Sequence, residues 1–552
     1  MDSLTQAAEI IDRAGGEDGR TALLASLGFT DRPLALDLAS RERFGLPRCV
    51  LSARVATGQG SLRALSVDIA SHDSLQDNVL TIARVLSFRA PHLLWLIVAA
   101  DCAGRIAIAT WRGMGSSMRL AAMITERGRV IESDAETLCA LSAARTVTGD
   151  VMRHMRWLDI LGRDAVTRRF FVALSGAVKS LADSAPASVP RRDASEISIL
   201  TTSRLLFLSF LESKGWLNSD FGFLANGFGE CMAAGGAYQR RVLEPLFFGT
   251  LNTPVSERAP RARRFGRIPF LNGGLFARTS VERIHRHSRF TDDALGALFG
   301  DVLVRYRFTA REDAAAWSQA AIDPEMLGKV FESLMESADR KRSGVFYTPQ
   351  QFVERLTRLT VSTALQRRGL SRECAALLLD DDAGVAPNPE TLAQVKELKF
   401  LDPACGSGAF LVHVLERLAR LRRLLGDDAS PSDIRRSVLT RSIFGVDSNP
   451  TAVWLCELRL WLSAVIDCDE PDPMHVTPLP NLDRQIRVGD SLAGSAFSSA
   501  NLALPASRAM RRLRDQYTRA SGRRKVSLAR RLDIVERERT LAAIEAAIAS
   551  VI

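Results

Sequence analysis

The fold of this chain is decided by one stretch, Leu398-Lys399-Phe400-Leu401-Asp402-Pro403-Ala404-Cys405-Gly406-Ser407-Gly408. Its apolar first residues predict a β-strand, and the spacing of the apolar residues at 410, 411, 414, 415 and 418 predicts a helix directly after the glycines. Strand, glycine loop and helix in this order are typical of nucleotide-type binding sites, because glycines let a ligand approach the backbone closely. Asp402 ends the strand, and a carboxylate there favours an ammonium group over a pyrophosphate.

Two further strands are predicted downstream, and an acid follows each of them. Residues 443–446 lead into Asp447, and residues 485–488 are followed by Asp490. Strands alternate with helices from residue 398 onward, with an additional helix at about 432–441, which indicates a parallel sheet. A carboxylate at the second strand end would accept hydrogen bonds from ribose hydroxyls. Any one of these acids alone could equally be a helix cap or a turn residue, but three in succession favour a ligand site.

These residues carry a resemblance to a known family. Residues 402–411 (D-P-A-C-G-S-G-A-F-L) resemble motif I of the class I S-adenosylmethionine-dependent DNA methyltransferases of the N6-adenine type. Residues 344–349 (G-V-F-Y-T-P), 445–450 (G-V-D-S-N-P) and 489–492 (G-D-S-L) resemble motifs X, II and III, in the order of the gamma group. Stretches at 204–216, 270–276 and 323–328 resemble the helical region of Eco57I-type methylases and their BREX and DISARM relatives in phage defence. The resemblance covers roughly residues 195–500.

The resemblance implies an α/β fold. We expect a Rossmann-like class I S-adenosylmethionine-dependent methyltransferase sheet, incomplete in this chain, preceded by a helical domain and an N-terminal α+β domain. The expected division is an N-terminal domain at 1–183, for which a degenerate nuclease-like fold is one option, a helical domain at 191–338, a cofactor-binding core at 339–500 and a basic helical tail at 501–552.

The resemblance also implies that the cofactor is S-adenosylmethionine. Thr348 and the backbone before Pro349 would hold its methionine carboxylate, and Asp402 with the loop 404–408 would hold its amino end and sulfonium region. Asp447 would bind the ribose, and Asp490 the adenine N6, with Leu492 or a neighbour against the ring. Cys405 stands where the family has a small residue and is not expected to be a nucleophile. The full set of expected cofactor-binding residues is Tyr347, Thr348, Pro349, Asp402, Ala404, Cys405, Gly406, Gly408, Asp447, Asp490, Ser491 and Leu492.

The family's motif IV, an Asn/Asp/Ser-Pro-Pro-aromatic loop that holds the flipped target base, is missing from the sequence. The chain has 21 prolines but no Pro-Pro pair, and 449–451 (N-P-T) lacks the second proline and the aromatic residue. We therefore expect no catalytic residue in these 552 residues. The predicted function is the cofactor-binding part of a site-specific DNA N6-adenine methyltransferase in a restriction-modification or phage-defence system. It would act on double-stranded DNA together with a polypeptide that supplies motif IV and target recognition.

Other functions remain open at this stage. The chain could be an inactive truncated fragment, or a cofactor-binding or DNA-binding subunit without methyl transfer. Methylation of a protein or RNA by the same fold is a third possibility, which the resemblance to DNA enzymes argues against. Some relatives carry a nuclease at their N-terminus, but residues 1–178 contain no lysine for such a site. We therefore expect no DNA cleavage.

Charge and composition complete the expectations. The net charge is +10, and residues 507–539 hold twelve Arg/Lys against four Asp/Glu, so this tail either contacts phosphate or is a solvated basic helix. No C-x-x-C pair, signal peptide or membrane-spanning apolar run is visible, which predicts a cytoplasmic protein without structural zinc and without a membrane partner. His285 and His287 are expected to be surface histidines rather than metal ligands.

Overall fold

The structure is a computed structural model that describes residues 3–70, 74–114, 118–272, 274–309, 317–322, 326, 350–379, 388–466, 468, 470–492 and 508–549. The chain divides into two compact units, one formed by Met1–Leu181 with Asp293–Asp323 and the other by Ala182–Asp292 with Pro324–Ile552. Helices and strands occur in both units, which confirms that the protein is of mixed α/β structure. The division into four domains stays a prediction.

The described helices and strands have the following bounds. The strands are β1 Leu34–Ala35, β2 Val50–Thr57, β3 Leu62–Ile69, β4 Leu94–Asp101, β5 Arg105–Arg112, β6 Arg119–Glu126, β7 Trp317–Gln319, β8 Phe400–Asp402, β9 Ile443–Asp447 and β10 Ile486–Val488. The α-helices are α1 Ser3–Arg13, α2 Glu17–Ser26, α3 Leu38–Phe44, α4 Leu75–Arg89, α5 Glu132–Ala143, α6 Asp150–Leu161, α7 Arg163–Asp183, α8 Arg191–Ser213, α9 Phe223–Ala233, α10 Pro260–Arg263, α11 Ser280–Ile284, α12 Asp292–Leu298, α13 Gln350–Gln366, α14 Arg372–Leu378, α15 Pro389–Lys396, α16 Ala409–Leu424, α17 Pro431–Arg441, α18 Pro450–Ile466, α19 Arg508–Thr518 and α20 Gly522–Ala549. Short 3₁₀ turns lie at Ala144–Thr146 and Val255–Glu257, and π-helical segments at Gln239–Leu243, Pro245–Leu251 and Phe299–Leu303.

The first unit is built on a seven-stranded sheet in the order β1-β2-β3-β4-β5-β6-β7. The pairs β3–β4 and β6–β7 are parallel and the other pairs are antiparallel. The apolar runs at 93–98 and 105–111, on either side of Gly104, predict two adjacent strands, and the antiparallel neighbours β4 and β5 confirm them. Helix α4 covers the sheet because its buried residues Val79, Ile82, Ala83 and Leu86 recur at helical spacing.

The second unit begins with a helical region. Residues 184–190 connect α7 to α8, as the S-A-P-A-S-V-P composition predicts. Among the described helices, α8 alone is long and apolar enough to cross a membrane by length and composition, and 83% of its most apolar 18-residue window is buried inside the protein. Such burial is typical of the core helix of a globular unit.

A second sheet of three parallel strands, in the order β10-β9-β8, follows in the same unit. Helix α16 connects β8 to the next segment, and α17 is the additional helix that the sequence predicts before β9. In the register, Asp402 lies opposite Gly445, and Asp447 lies opposite Val488. These elements confirm the predicted parallel pairing. The Rossmann-like class of this sheet, predicted to be incomplete in this chain, stays a prediction.

Candidate functional site

The loop between β8 and α16 has the backbone geometry of a close-approach site. Gly406 and Gly408 adopt φ values of +51° and +87°, in the left-handed region that favours glycine. A Cβ atom at Gly406 would meet open space, whereas one at Gly408 would lie 2.6 Å from Cys456 Sγ. Gly406 therefore leaves room beside the loop, and Gly408 lets α18 pack against it.

Asp402 presents an unsatisfied acceptor at the start of this loop. Its Oδ1 accepts a hydrogen bond of 3.1 Å from the Ala404 amide. Its Oδ2 is buried and has no hydrogen-bond partner among the described residues. Burial raises the pKa of the Asp402 carboxyl, the hydrogen bond from Ala404 lowers it, and the nearby charge of Asp447 raises it, with a net shift above its ordinary value. A cationic group at Oδ2 would relieve the cost of this buried carboxylate.

Asp447 ties the second strand to the glycine loop. Its Oδ2 accepts a 2.9 Å hydrogen bond from the Gly406 amide, and its Oδ1 accepts one of 2.8 Å from Asn449. The Cys405 amide also donates to the carbonyl of Val446, at 2.9 Å. Since a carboxylate oxygen has two acceptor positions, both oxygens of Asp447 keep capacity for a ligand hydroxyl.

The third strand end lies beside the same loop. Ser491 Oγ donates to the carbonyl of Pro403 at 2.7 Å, which brings residues 490–492 next to the motif that begins at Asp402. Asp490 is exposed, and its Oδ1 accepts from the Leu492 amide at 2.9 Å. Leu492 is 90% exposed. β10 itself ends at Val488, so Asp490 lies in the loop rather than on the strand.

The structure thus brings nine of the expected residues to one edge of the sheet: Asp402, Ala404, Cys405, Gly406, Gly408, Asp447, Asp490, Ser491 and Leu492. Tyr347, Thr348 and Pro349 lie outside the described residues. The edge combines two neighbouring carboxylates with an open glycine loop. Such an arrangement can bind a molecule that carries both a cation and hydroxyl groups.

Sequence reasoning missed the residue that fixes the loop from below. Arg459 of α18 is 8% exposed and donates through Nη1 to the carbonyl of Ser407 at 3.1 Å and to its Oγ at 3.0 Å. The signal was present, because 454–461 (W-L-C-E-L-R-L-W) places two charged residues in an apolar helix. Charged residues inside such a stretch are rarely buried without a partner.

The two cysteines under the loop are buried. Cys405 is 5% exposed and Cys456 is fully buried. A hydrogen bond with Cys405, together with burial, raises the pKa of the Cys456 thiol well above its ordinary value. Buried thiols of this kind are poor nucleophiles. Their place beneath the loop is that of packing residues.

Glu457 is the second charged residue in that helix, and its environment disfavours the charged form. It is 8% exposed, and its carboxylate accepts no hydrogen bond from the described residues. Burial and, to a smaller extent, the nearby carboxylate of Asp483 raise the pKa of Glu457, the ammonium of Lys525 lowers it, and the net pKa is about 8. The folded state therefore binds a proton that the unfolded state releases at lower pH.

Replacing Glu457 by glutamine is expected to flatten the pH dependence of stability. Because the folded pKa lies above the unfolded one, this glutamate's stabilising contribution is full below about pH 4.5 and is lost as the pH rises towards 8, by up to about 1.4 kcal/mol per pH unit. Glutamine stays neutral, so Glu457→Gln should match the wild type at pH 5 and exceed its free energy of unfolding at pH 8. Urea denaturation across this range measures the slope. Glu354→Gln, at an exposed position of α13, is the control, and an unchanged slope in Glu457→Gln would contradict the prediction.

The two histidines behave differently from each other. His285 is only partly exposed, with 14% of its side chain accessible, and its Nε2 lies 2.8 Å from Asp193 Oδ2, a contact that the prediction of a surface histidine did not include. The partner is 92 residues away in sequence, which local pattern does not reveal. His287 is exposed, as predicted. Among the described residues, no group of three or more histidines, cysteines and acids is arranged to hold a metal ion.

The segment that contains the glycine loop of this site matches the model of a known protein family. Residues 322–475 match the family model of the N-6 DNA methylases. The matched segment contains β8, β9 and the loop between Asp402 and Gly408, and it ends before Asp490.

Two curated relatives agree with that match. A protein of Methanocaldococcus jannaschii, named as a candidate type II restriction enzyme and methyltransferase, is 27% identical over 338 residues, which are 56% of this chain and 28% of that protein. The adenine-specific methyltransferase PglX of Streptomyces coelicolor is 28% identical over 187 residues, which are 32% of this chain and 12% of PglX. The chain thus spans less than a third of the length of either relative. The family model and PglX share a description as methylases that act on DNA or on adenine.

A solved structure with partial similarity is that of the type IIL restriction-modification enzyme MmeI in complex with DNA. The sequence identity is 19%, the aligned region covers 54% of this chain and 36% of the MmeI chain, and the TM-score is 0.36. Similarity at this level supports no statement about the fold.

Proposed function

We propose that this chain forms the cofactor-binding part of a site-specific DNA methyltransferase of the gamma group, which modifies adenine at N6 in a restriction-modification or phage-defence system. The observation that carries the proposal is Oδ2 of Asp402, a buried acceptor without a hydrogen-bond partner among the described residues. It lies at the glycine loop of a segment that matches the N-6 DNA methylases. The amino group of S-adenosylmethionine is a cationic hydrogen-bond donor, which is the kind of partner that Oδ2 of Asp402 lacks.

The described residues fit that cofactor, which supplies a methyl group activated by its sulfonium charge. Asp402 would hold the amino group through Oδ2, and the open side of Gly406 would receive the methionine portion. Asp447 would accept the ribose hydroxyls while keeping its hydrogen bonds to the loop. Asp490 and the exposed Leu492 would contact the adenine. The predicted role of Tyr347, Thr348 and Pro349 toward the methionine carboxylate stays part of this proposal.

The target amine needs a further set of residues. The Pro-Pro-aromatic loop that the resemblance implies is not in these 552 residues. We assign it to residues outside this sequence, on a complementing polypeptide or on a longer form of the chain. Among the described residues β8 has a neighbouring strand on one side only, so the backbone groups of its other edge are available to a further strand.

The same absence favours a second candidate function. A chain that binds the cofactor and DNA but lacks the acceptor loop would act as a binding subunit without methyl transfer. One measurement distinguishes the two functions. When the acceptor loop is supplied, a methyltransferase part incorporates methyl groups into DNA, whereas a binding subunit does not.

The purified chain is expected to bind S-adenosylmethionine, and Asp402→Asn to bind it about 10- to 100-fold more weakly. Asparagine has the same shape but offers no negative charge, and hydrogen bonds to charged groups contribute about 1.5–3 kcal/mol. Isothermal titration calorimetry with S-adenosylmethionine measures both affinities. Asp428→Asn, at an exposed acid beyond α16, is the control and should bind like the wild type.

Each outcome bears on a separate statement. No heat with the wild-type chain at millimolar cofactor would contradict the proposed function. Wild-type affinity in Asp402→Asn would remove Asp402 from the site and leave the cofactor assignment standing. With tritiated cofactor and duplex DNA, the chain should incorporate label when co-expressed with a polypeptide that carries the Pro-Pro-aromatic loop. Cofactor binding without any incorporation in that pairing would favour the binding subunit.

A further inference from the structure

The turn between α19 and α20 is held in a fixed position by two buried asparagines. Asn272, which is 4% exposed, donates through Nδ2 to the carbonyl of Ala520 at 3.1 Å. Asn481 is fully buried and donates through Nδ2 to the carbonyls of Tyr517 and Ala520, at 2.8 and 2.7 Å. The Asn481 amide also donates to the carbonyl of Thr518, at 2.9 Å. The peptide carbonyls at the end of α19 therefore point into the protein.

The two helices of this hairpin pack through an apolar cluster. Its buried members are Leu513, Tyr517, Ala520, Leu528 and Leu532. On α19 and at the residue that follows it, the exposed residues Arg512, Asp515, Gln516 and Arg519 recur at helical spacing on the opposite side. The amphipathic hairpin thus turns a polar, mainly basic face to solvent.

A concave surface of about 960 Å³ lies at the exposed side of the turn. Three arginines line it, Arg519, Arg523 and Arg524, together with the acids Glu257 and Asp515. All three arginines are exposed. None of them has an ion-pair or hydrogen-bond partner among the residues that the structure describes, so their charges are available to a ligand.

Three other cations of the hairpin region are already paired. Arg514 lies 2.9 Å from Glu536, and Arg484 lies 2.7 Å from Asp533. Arg487 also contacts Glu536, at 3.2 Å. These pairs occupy Asp533 and Glu536 of α20. The three arginines of the turn, by contrast, are offset only in part by the two carboxylates of the concavity.

We propose that the turn formed by Arg519, Arg523 and Arg524 binds the phosphodiester backbone of double-stranded DNA. Guanidinium groups pair with phosphate through two parallel hydrogen bonds, and a fixed turn holds them in place before the ligand arrives. A concave surface without exposed aromatic rings suits backbone contacts rather than base stacking. The identity of the partner rests on the proposed function, whereas the phosphate chemistry rests on the arginines themselves.

The test compares two triple variants of the full chain with equal loss of charge. The first variant, Arg519→Gln/Arg523→Gln/Arg524→Gln, removes the three arginine charges of the turn. The second, Arg530→Gln/Arg531→Gln/Arg537→Gln, removes three exposed arginine charges farther along α20. Fluorescence anisotropy with a labelled DNA duplex gives the affinity over a series of salt concentrations. We expect the turn variant to lose about 10- to 100-fold in affinity at low salt, and its log–log salt slope to fall by about 2.7, since each phosphate contact contributes about 0.9. The control variant should change by less than about threefold.

The other outcomes overturn the inference. Equal losses in both variants would indicate a general charge effect, and wild-type binding by the turn variant would remove these arginines from the interface. Tighter binding of an RNA duplex of the same length through the same arginines would overturn DNA as the partner. Circular dichroism and cofactor calorimetry on each variant report whether it is folded. Duplex binding by a wild-type chain that gives no heat with S-adenosylmethionine would sink the proposed function and leave this inference standing.

Discussion

Arg204→Met is expected to lower the free energy of unfolding by about 3–5 kcal/mol. Arg204 is fully buried in α8 and pairs with the Glu282 carboxylate through both of its Nη atoms, with Nη2 at 3.0 Å from Oε2. It also donates to the carbonyls of Leu275 and Ala277, at 2.7 and 3.0 Å. Burial would raise the pKa of Glu282, but the Arg204 charge and the Thr279 hydrogen bonds hold it below its ordinary value. Removing the arginine leaves a buried carboxylate without its counter-charge.

A double-mutant cycle tests that cause. In the wild-type background, Glu282→Gln should destabilise the protein, since it leaves Arg204 without its counter-charge. In the Arg204→Met background the same change should restore part of the stability, because it removes an uncompensated carboxylate. Urea denaturation at pH 7 measures all four proteins. A destabilising effect of Glu282→Gln in both backgrounds would show that the buried charge is not the cause.

Gly408→Ala is expected to abolish measurable binding of S-adenosylmethionine. The residue has φ +87°, which costs a non-glycine residue about 1–3 kcal/mol. The added Cβ would also lie 2.6 Å from Cys456 Sγ and 3.4 Å from the Cα of the same residue, so the loop has to move away from α18. That movement would carry Gly406 and the amide that bonds Asp447 out of position. Calorimetry with the cofactor checks the loss.

Gly406→Ala is the matched control in the same loop. Its φ is also positive, at +51°, but its Cβ would meet open space. Thermal unfolding should therefore show a small change in Gly406→Ala and a larger one in Gly408→Ala. Cys456→Ala removes the nearest atom and should recover part of the stability of Gly408→Ala. Equal unfolding temperatures for the two glycine variants would contradict the packing role of Gly408.

The local part of the fold could be predicted from sequence. Strands β4, β5, β8 and β9, helix α17 and the linker before α8 follow from apolar runs, turn residues and helical spacing within short windows. These patterns report which face of an element is buried, and they do so without knowledge of the partner. The candidate site was found in the same way, since the glycine loop and the acids at the strand ends are local features.

The remainder depends on partners that are distant in the chain. β7 (Trp317–Gln319) pairs with β6 across almost two hundred residues, so a helical pattern around it gave no sign of a strand. The contact of His285 with Asp193 and the hold of Arg459 on Ser407 are also non-local. Local periodicity marks a charged residue as unusual in an apolar stretch, but the partner is set by the packing of separate elements.

The anchoring of the arginine turn has a consequence for how the chain is made. Asn272 and Ala520 are 248 residues apart in sequence. At about 5–20 residues per second, a ribosome completes the second of them roughly 12–50 seconds after the first. Until then the amide of Asn272 remains hydrated, and the loop-closure entropy of so long a segment opposes the contact. The glycine loop leaves the ribosome well before the hairpin does. The glycine loop is therefore synthesised before the contacts that anchor the basic turn can form.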